Sequence, residues 1–499
     1  MNAVNRRISL VAGALISLVG CYSNNGGLLY LDSGTGPGPD GGSAGSGGAD
    51  GGSGGGSGGA GGSAGSGGNG GNAGSGGTAA TGGTPLTGAW QPPVVIDSHA
   101  GIGVNPLVSI GNDGEAVSVW VQSDLGAYKV WANRYTPSDG WEGDLLIGTT
   151  DGNAADLTKT SQPYVVVDAN GVATAAWADY GDPLVRGLVS RQYTAPDGWA
   201  DPATIYDGAS TAGDARLAVD ASGNVMAVFA TGTGAWANQL EAGVGWGVAG
   251  IIDNQPNAPS GVRVALEPNG DGWSVWSQAP TGIAFNIFGN TFTAGTGWGD
   301  AGKVENGTVG NALAPALAVD ASGNALFLWQ QTAGLRFQVW SSGWNASTNQ
   351  LIARARLDDA GTAYAPAVAM SPNGTGTAVW IQSVQGTGLP LQVAASRFTL
   401  ASGWGTPETL AEGEITSNPR VATDSQGNAV VVYTQKIVTE SQVDAWARTY
   451  SAGVWGPAVR LGLDAPIGDA FQPSVSMDPD GNAVAVWREG PDIWASTFE

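Results

Sequence analysis

Between Pro106 and Trp487 the chain runs through one frame eight times: a branched apolar residue, a glycine six residues later, and an aromatic six residues after that. The copy VDASGNALFLW at 319 to 329 shows it. The apolar positions are Val108, Val165, Leu217, Val264, Leu317, Val368, Val421 and Val475. The glycines are Gly114, Gly171, Gly223, Gly270, Gly323, Gly374, Gly427 and Gly481. The aromatics are Trp120, Trp177, Phe229, Trp276, Trp329, Trp380, Tyr433 and Trp487. A fixed period of about fifty residues marks an array of supersecondary units, each unable to bury its apolar face alone. Within the frame, an alternating strand, a tight turn with glycine in the left-handed position and a second strand fit the residue order.

Each frame continues into a third apolar stretch, such as Val130 to Tyr135 or Ala445 to Tyr450, and then into a tryptophan that opens a fourth run. The fourth-run tryptophans are Trp90, Trp141, Trp199, Trp246, Trp298, Trp344, Trp404 and Trp455. Four short strands joined by tight turns, repeated radially, are how a β-propeller limits exposed sheet edges. The last frame stops after its third strand, Ile493 to Phe498, while GAWQPPVVID at 88 to 97 supplies a fourth-strand pattern ahead of the first frame. The expectation is an all-β chain with a single β-propeller of eight four-stranded blades, seven being the alternative, closed by an N-terminal strand that completes the last blade. Small residues after the branched position, such as Ala218 and Ser476, fit a first strand that lies innermost. Trp340, four residues before Trp344, is read as the end of a third strand, with an altered outer edge in the fifth unit.

The repeat resembles bacterial surface propellers, and distantly the sialidase and BNR-repeat class, through its Asp-turn-Gly-strand-Trp rhythm. It lacks the Ser-x-Asp-x-Gly-x-Thr-Trp order of a proper Asp-box, so the resemblance implies an architecture and no activity.

Residues 1–20 read as a signal peptide: Arg6 and Arg7 precede an apolar run from Ile8 to Val19 that is too short to span a bilayer. The ending Leu18-Val19-Gly20-Cys21 resembles the lipobox of bacterial lipoproteins, which implies cleavage before Cys21 and attachment of lipid, with palmitate among its acyl chains, to that residue. Tyr22, where an aspartate would favour the inner membrane, points by the same resemblance to the outer membrane. Cys21 is the only cysteine, so the chain has no internal disulfide. Residues 21–87 are dominated by Gly, Ser and Ala, a composition that cannot offset its conformational entropy by burial, and so form a flexible tether. About 65 such residues reach roughly 40 to 50 Å. Residues 88–499 form the folded domain.

Forty-two acidic against nineteen basic residues give a net charge of −23, which excludes nucleic acid and anionic membrane surfaces as principal partners. A single histidine, His99, and an acylated cysteine offer no Ser-His, Cys-His or zinc constellation, and no catalytic residue is named. Paired carboxylates from different blades would still permit glycoside hydrolysis. Two residues past each strand-end aromatic stands a mostly polar position, and Gln122, Asp179, Gln278, Gln331, Gln382, Gln435 and Glu489 are the candidate ligand-binding ring. Their competing reading is that they satisfy backbone groups between blades. Asp492 and Glu440 lie in neighbouring loops. The first-turn acids Asp168, Asp220, Asp320, Asp424 and Asp478 fit turns that bond their own backbone. No cofactor is expected; calcium would use Asp478, Asp480 and Asn482, but the order of a calcium loop is absent. The tryptophans read as packing, and Arg134, Arg191, Arg397 and Arg448 on the third strands as surface ion pairs.

The function expected is a lipid-anchored, non-catalytic binding or adhesion module of the bacterial cell surface, a monomer with a carbohydrate or protein ligand. The alternative is a carboxylate-dependent glycoside hydrolase or lyase acting on extracellular polysaccharide.

Overall fold

The computed structural model describes residues 85 to 499, apart from 125–126, 154–161, 183–184, 209, 306–309, 359–360, 384–389, 438–441 and 463–467. The leader, Cys21, all but the last residues of the tether and Glu440 lie outside the described residues. Among the described residues the protein is all-β, without a helix, and every strand pairing is antiparallel. No sheet closes on itself into a barrel.

Each sequence frame becomes a first strand, a five-residue turn and a second strand. In the third frame Ala212–Val219 pairs with Val225–Thr231, which pairs with Gly234–Glu241. A two-residue piece, Gly245–Trp246, and then Gly250–Ile251 close the outer edge. The strand-end aromatics Trp120, Trp177, Phe229, Trp276, Trp329, Trp380, Tyr433 and Trp487 are at most 1% exposed and centre the apolar clusters between sheets. Burying one such ring stabilises by about 1.5 to 3 kcal/mol, so the repeat is held mainly by these anchors. Most fourth-run tryptophans pack on a third-strand aromatic, as in Tyr135–Trp141 and Phe398–Trp404, with ring centroids 5.5 and 5.1 Å apart.

The fifth unit departs from the pattern. Its third strand, Arg336–Asn345, contains both Trp340 and Trp344, and Trp344 pairs with Leu351 of a continuous fourth strand, Gln350–Arg356. Trp340 therefore sits in mid-strand opposite Trp329, and Trp344 does not open a fourth strand. Trp344 takes the register of the third-strand aromatics, opposite Ala325, and Trp273, which lies outside the repeated frame, packs on it at 5.6 Å and on Phe327 at 5.1 Å.

The N-terminal segment pairs with the last third strand. Val94–Val95 adds to Asp492–Phe498, with Val94 opposite Ala495 and Val95 opposite Trp494, and Trp90 bridges to Phe498. Gln91 and Ile96 donate backbone hydrogen bonds to Thr497 and Ile493, and Tyr135 bonds the carboxylate of Glu499. The sixth and seventh units are joined edge to edge by Glu414–Lys436 and Ile415–Gln435 pairing.

Two features link each unit to the next. First strands touch in succession, and Gly103–Ile110 of the first unit also touches Ala470–Met477 of the last. At that junction Gln472 Oε1 accepts from the Asn105 backbone N–H at 2.9 Å while its amide donates to Asn105 Oδ1 at 2.7 Å. Both residues have positive φ, 56° and 53°, at a bulge before proline; Ala314 and Ala365 repeat the same strained step. At the opposite ends of the first strands the acidic turns interlock. A Cβ on Gly223 would lie 2.7 Å from Asp168 Oδ2, one on Gly270 2.9 Å from Asp220 Oδ2, and one on Gly323 3.0 Å from Glu267 Oε2. The succession continues through Asp320 at Gly374 and Asp424 at Gly481, and Asp478 of the last unit faces Gly114 of the first. At Gly223, Gly270, Gly323 and Gly374 glycine is favoured twice over, for its left-handed φ and for the close approach of the neighbour's carboxylate.

Candidate functional site

The predicted polar ring lies one layer inside the protein. Gln122, Gln278 and Glu489 are 0% exposed and Gln331 and Gln382 are 5% exposed. Their Oε atoms accept from the indole N–H of the tryptophan two residues earlier: Trp120 to Gln122 at 3.0 Å, Trp276 to Gln278 at 2.8 Å, Trp329 to Gln331 at 3.0 Å, Trp380 to Gln382 at 2.9 Å and Trp487 to Glu489 at 3.0 Å. The pleat explains the pairing, because residues i and i+2 share one face of a strand. In two units the amide then reaches an acid on the preceding unit: Gln122 to Asp97 and Gln278 to Asp253, both at 3.1 Å. Asp253 in turn accepts from the Ala235 N–H at 2.9 Å, and Asp97 from the Ile493 N–H at 3.1 Å. The relay runs indole, amide, carboxylate, backbone, and it ties neighbouring sheets together. Asp179 and Gln435 are the more open members; Gln435 follows a tyrosine, and its amide donates to Glu412 O at 2.8 Å.

The first-turn acids are spent locally. Asp478 Oδ1 accepts from the N–H groups of Asp480, Gly481 and Asn482, and Oδ2 accepts from the Asn482 amide at 2.7 Å. Among the described residues no group of three His, Cys, Asp or Glu side chains could hold a metal ion. Of the third-strand arginines, Arg134 pairs with Glu115 and Glu142. Arg397 and Arg448 instead donate to backbone carbonyls, Gly427 O for the first and Gly456 O and Leu410 O for the second, so they are braces between units and not surface ion pairs.

Two acids and an arginine do converge where the seventh and eighth units meet. Asp444 and Glu489 both face Gly462, whose Cβ would lie 3.1 Å from one and 3.3 Å from the other, and Arg460 Nη2 is 2.7 Å from Asp444 Oδ2. Both acids are 0% exposed, so no polymer reaches them.

What the seam between first and last units exposes is different. The segment after Val94–Val95 carries Asp97, Ser98 and His99 into the first unit. Gln122 pins it by donating to His99 O at 2.6 Å. The His99 ring lies over Trp131 with centroids 3.8 Å apart and planes 34° apart. Its Nδ1 is 2.7 Å from Asp144 Oδ2; the Asp144 side chain is 3% exposed and that of His99 44%. Ser98 donates to Asp144 through Oγ at 2.6 Å and through its backbone N–H at 3.2 Å. Burial pushes Asp144 up, but the hydrogen bonds from Ser98 and His99 outweigh it and leave the carboxyl below its ordinary range. In the neutral ring a carboxylate on Nδ1 favours the tautomer with its proton there, and no described residue bonds Nε2. That is the geometry of a general base. It is not a serine triad, since Ser98 Oγ meets the same nitrogen as Asp144, at 3.4 Å.

Around this dyad the acids are hard to ionise. Asp97 is pushed up to about 6, first by burial and then by the charges of Asp492 and Asp144, against the opposing Ile493 N–H. Burial also raises Asp492. Sequence reasoning set His99 aside as a lone histidine; its partner Asp144 stands forty-five residues away, in the first unit. The available signal was that the polar Ser-His pair follows the latch strand in this one unit.

No family model matches the sequence, and no curated protein matches it. Solved structures resemble it at low identity. A protein of unknown function from Dyadobacter fermentans is 14% identical, with 83% of this chain and 99% of that chain covered and a TM-score of 0.40. An ulvan lyase of a new polysaccharide lyase family is 12% identical, covering 81% and 95%, with a TM-score of 0.46. An α-L-arabinofuranosidase from Fusarium graminearum is 12% identical, covering 64% and 99%, with a TM-score of 0.36. At these scores the likenesses carry no argument about activity or ligand.

Proposed function

We propose that this chain is a single closed propeller of eight blades, held at the outer surface of a bacterial outer membrane by lipid on Cys21 and a tether over 21–87, and that it acts on a carbohydrate polymer at His99. The unbroken succession of first strands and interlocked turns, last unit to first, supports the closed ring. An N-terminal strand in the last blade supports the latch.

The observation that carries the functional reading is the His99–Asp144 dyad, its half-exposed imidazole stacked on Trp131 where the N-terminal strand leads into the first unit. A base of this kind, beside Asp97, whose carboxyl is pushed up to about 6, fits acid–base cleavage of a glycosidic bond. The buried polar ring weakens the rival picture of many equivalent lectin pockets. A non-catalytic binding module is the second reading. It is favoured by the absence of any described acid within hydrogen-bond reach of His99 Nε2, and it would use Asp179 and Gln435, the open members of the ring.

The test is to incubate residues 85–499 with a panel of soluble polysaccharides and measure both new chain ends and retention on the polymer. New ends that disappear in His99→Ala support cleavage. Retention without new ends, kept in His99→Ala and lost in Gln435→Ala, supports the binding module. Neither signal moves the ligand from carbohydrate to protein.

A further inference from the structure

The first and fourth units build one scaffold twice. In each, a two-residue edge strand leads to an acid, Asp97 or Asp253, whose carboxylate accepts a backbone N–H from the preceding sheet, Ile493 at 3.1 Å and Ala235 at 2.9 Å. In each, the strand-end tryptophan bonds a glutamine whose amide returns to that acid: Gln122 to Asp97 and Gln278 to Asp253, both at 3.1 Å. The same amide donates to the carbonyl two residues past the acid, His99 O at 2.6 Å and Gln255 O at 3.2 Å. The residue between is tied to the position three past the fourth-run tryptophan, Ser98 to Asp144 in the first unit and Asn254 to Ala301 O at 3.1 Å in the fourth. The register agrees too, since Trp131 stands opposite Trp120 as Phe288 stands opposite Trp276.

The chemistry on the scaffold differs. Where the first unit has His99 and Asp144, the fourth has Gln255 and Ala301. An imidazole and a carboxylate thus sit on a cradle that in the fourth unit ties sheets together. At His99 that cradle is also the one hold on the backbone. The Ser98 N–H bonds Asp144, and Ile102 is bonded to Ser123 through both its N–H and its carbonyl, at 3.2 and 3.3 Å. Between them, among the described residues, the Gln122 amide is the only group that hydrogen-bonds the backbone of residues 99 to 101. Its two protons go to Asp97 and to His99 O, so one fully buried side chain fixes both ends of Asp97-Ser98-His99. The imidazole then meets Asp144 at 2.7 Å and lies on Trp131. A reacting group is placed only as well as the backbone that carries it, and an error of about 1 Å can cost about a hundredfold in rate.

We propose that Gln122 is a positioning residue for His99: through the His99 carbonyl it holds the imidazole where Nδ1 meets Asp144 and the ring stacks on Trp131. The proposal rests on the reading of His99 as the acting base. Gln122 itself touches no polymer.

His99 is the only histidine of the chain, so the imidazole 15N spectrum of the full chain, labelled at histidine, reports this ring alone. Wild type should show the Nδ1–H tautomer that Asp144 selects. Gln122→Met keeps volume and loses both amide donors, and it should lose that signature and move toward the averaged ring of free histidine. Gln122→Glu guards against a variant that fails to fold. An ionised glutamate still accepts from the indole, as Glu489 does from Trp487 at 3.0 Å, but has no proton for His99 O, so at about pH 8 the signature should again be lost. Gln278→Met is the control: it removes the same cradle from the fourth unit, should lower the unfolding midpoint by a similar amount, and should leave the His99 spectrum unchanged.

A wild-type spectrum in folded Gln122→Met and Gln122→Glu overturns the proposal and leaves Asp144, Ser98 and Trp131 as all that places the ring. A shift in Gln278→Met as large as in Gln122→Met overturns it as well, because general loosening is then the cause. Averaging already present in wild type removes the dyad and the positioning role together. The cleavage reading fails separately: if the polysaccharide panel yields no new chain ends while the Gln122 variants release the ring, Gln122 positions an imidazole that does not cut.

Discussion

Replacing Gln278 with leucine tests the relay that ties one sheet to the next. Gln278 is 0% exposed; its Oε1 receives the Trp276 indole at 2.8 Å, and its amide donates to Asn257 O at 2.6 Å and to Asp253 Oδ2 at 3.1 Å. Leucine fills similar volume and pairs with none of them. The buried indole N–H then stands unpaired at a cost of about 1 to 3 kcal/mol, and a carboxylate losing a donor adds about 1.5 to 3. Asp253 keeps the Ala235 N–H, and Asn257 lies in a loop that water reaches, so the total should be about 3 to 5 kcal/mol. That is a large fraction of the roughly 5 to 15 kcal/mol typical of a whole domain. Gln435→Leu is the internal control. Its aromatic is Tyr433, no indole depends on it, and Glu412 O can turn to water, so about 1 kcal/mol or less should be lost. The assay is urea unfolding of residues 85–499, comparing midpoints at unchanged slope. If Gln278→Leu stays within about 1 kcal/mol of wild type, or falls no further than Gln435→Leu, the relay does not hold the sheets together.

Other perturbations give distinct readouts. Asp97 has its pKa raised in the folded state to about 6, so folding favours its protonated form; of the roughly 3 kcal/mol this costs at pH 8, about 1.5 kcal/mol should be regained as pH falls from 8 to 5. Asp97→Asn should shrink that rise, and a midpoint that falls steadily over the same range contradicts the sign. Gly223→Ala places a Cβ 2.7 Å from Asp168 Oδ2 at a φ of +82° and should cost about 1 to 3 kcal/mol, whereas Gly243→Ala, with similar φ and nothing within 4 Å, should cost only the backbone part. Deleting residues 85–97 removes the latch strand together with the Asp97 and Trp90 contacts, and should lower the unfolding midpoint while exposing the Asp492–Phe498 edge to aggregation, read by light scattering. Trp273→Ala should destabilise by about 3 to 5 kcal/mol even though the residue lies outside the repeat, because it is 8% exposed and packs on both Phe327 and Trp344.

Architecture was legible because it is written eight times. The glycine that turns left-handed and the aromatic that fills the space between sheets are each forced by backbone or volume, so their spacing survives in every unit. The N-terminal strand was legible for a related reason: GAWQPPVVID has the fourth-strand pattern and no unit of its own to join. Trp344 was misplaced because a tryptophan in mid-strand and one opening a strand look alike at this spacing; only the continuous pairing of Gln350–Arg356 separates them. The site was far less legible. Polar residues in register suggested a ligand surface, but the same register brings each of them within reach of an indole, and burial decided between the two uses. His99 gains its role from Asp144, Trp131 and Gln122, which are distant in sequence and meet only when the latch strand docks.

The central claim is that the working surface is the asymmetric seam and not the repeated ring. The measurement that tests it most directly is the polysaccharide panel run in parallel on wild type, His99→Ala, Asp144→Asn and Gln435→Ala, with each variant shown to unfold at the wild-type midpoint. The account predicts that action on the polymer is lost in His99→Ala, strongly reduced in Asp144→Asn, and unchanged in Gln435→Ala. Full activity or binding in both seam variants, with loss in Gln435→Ala, would contradict it and return the function to the ring.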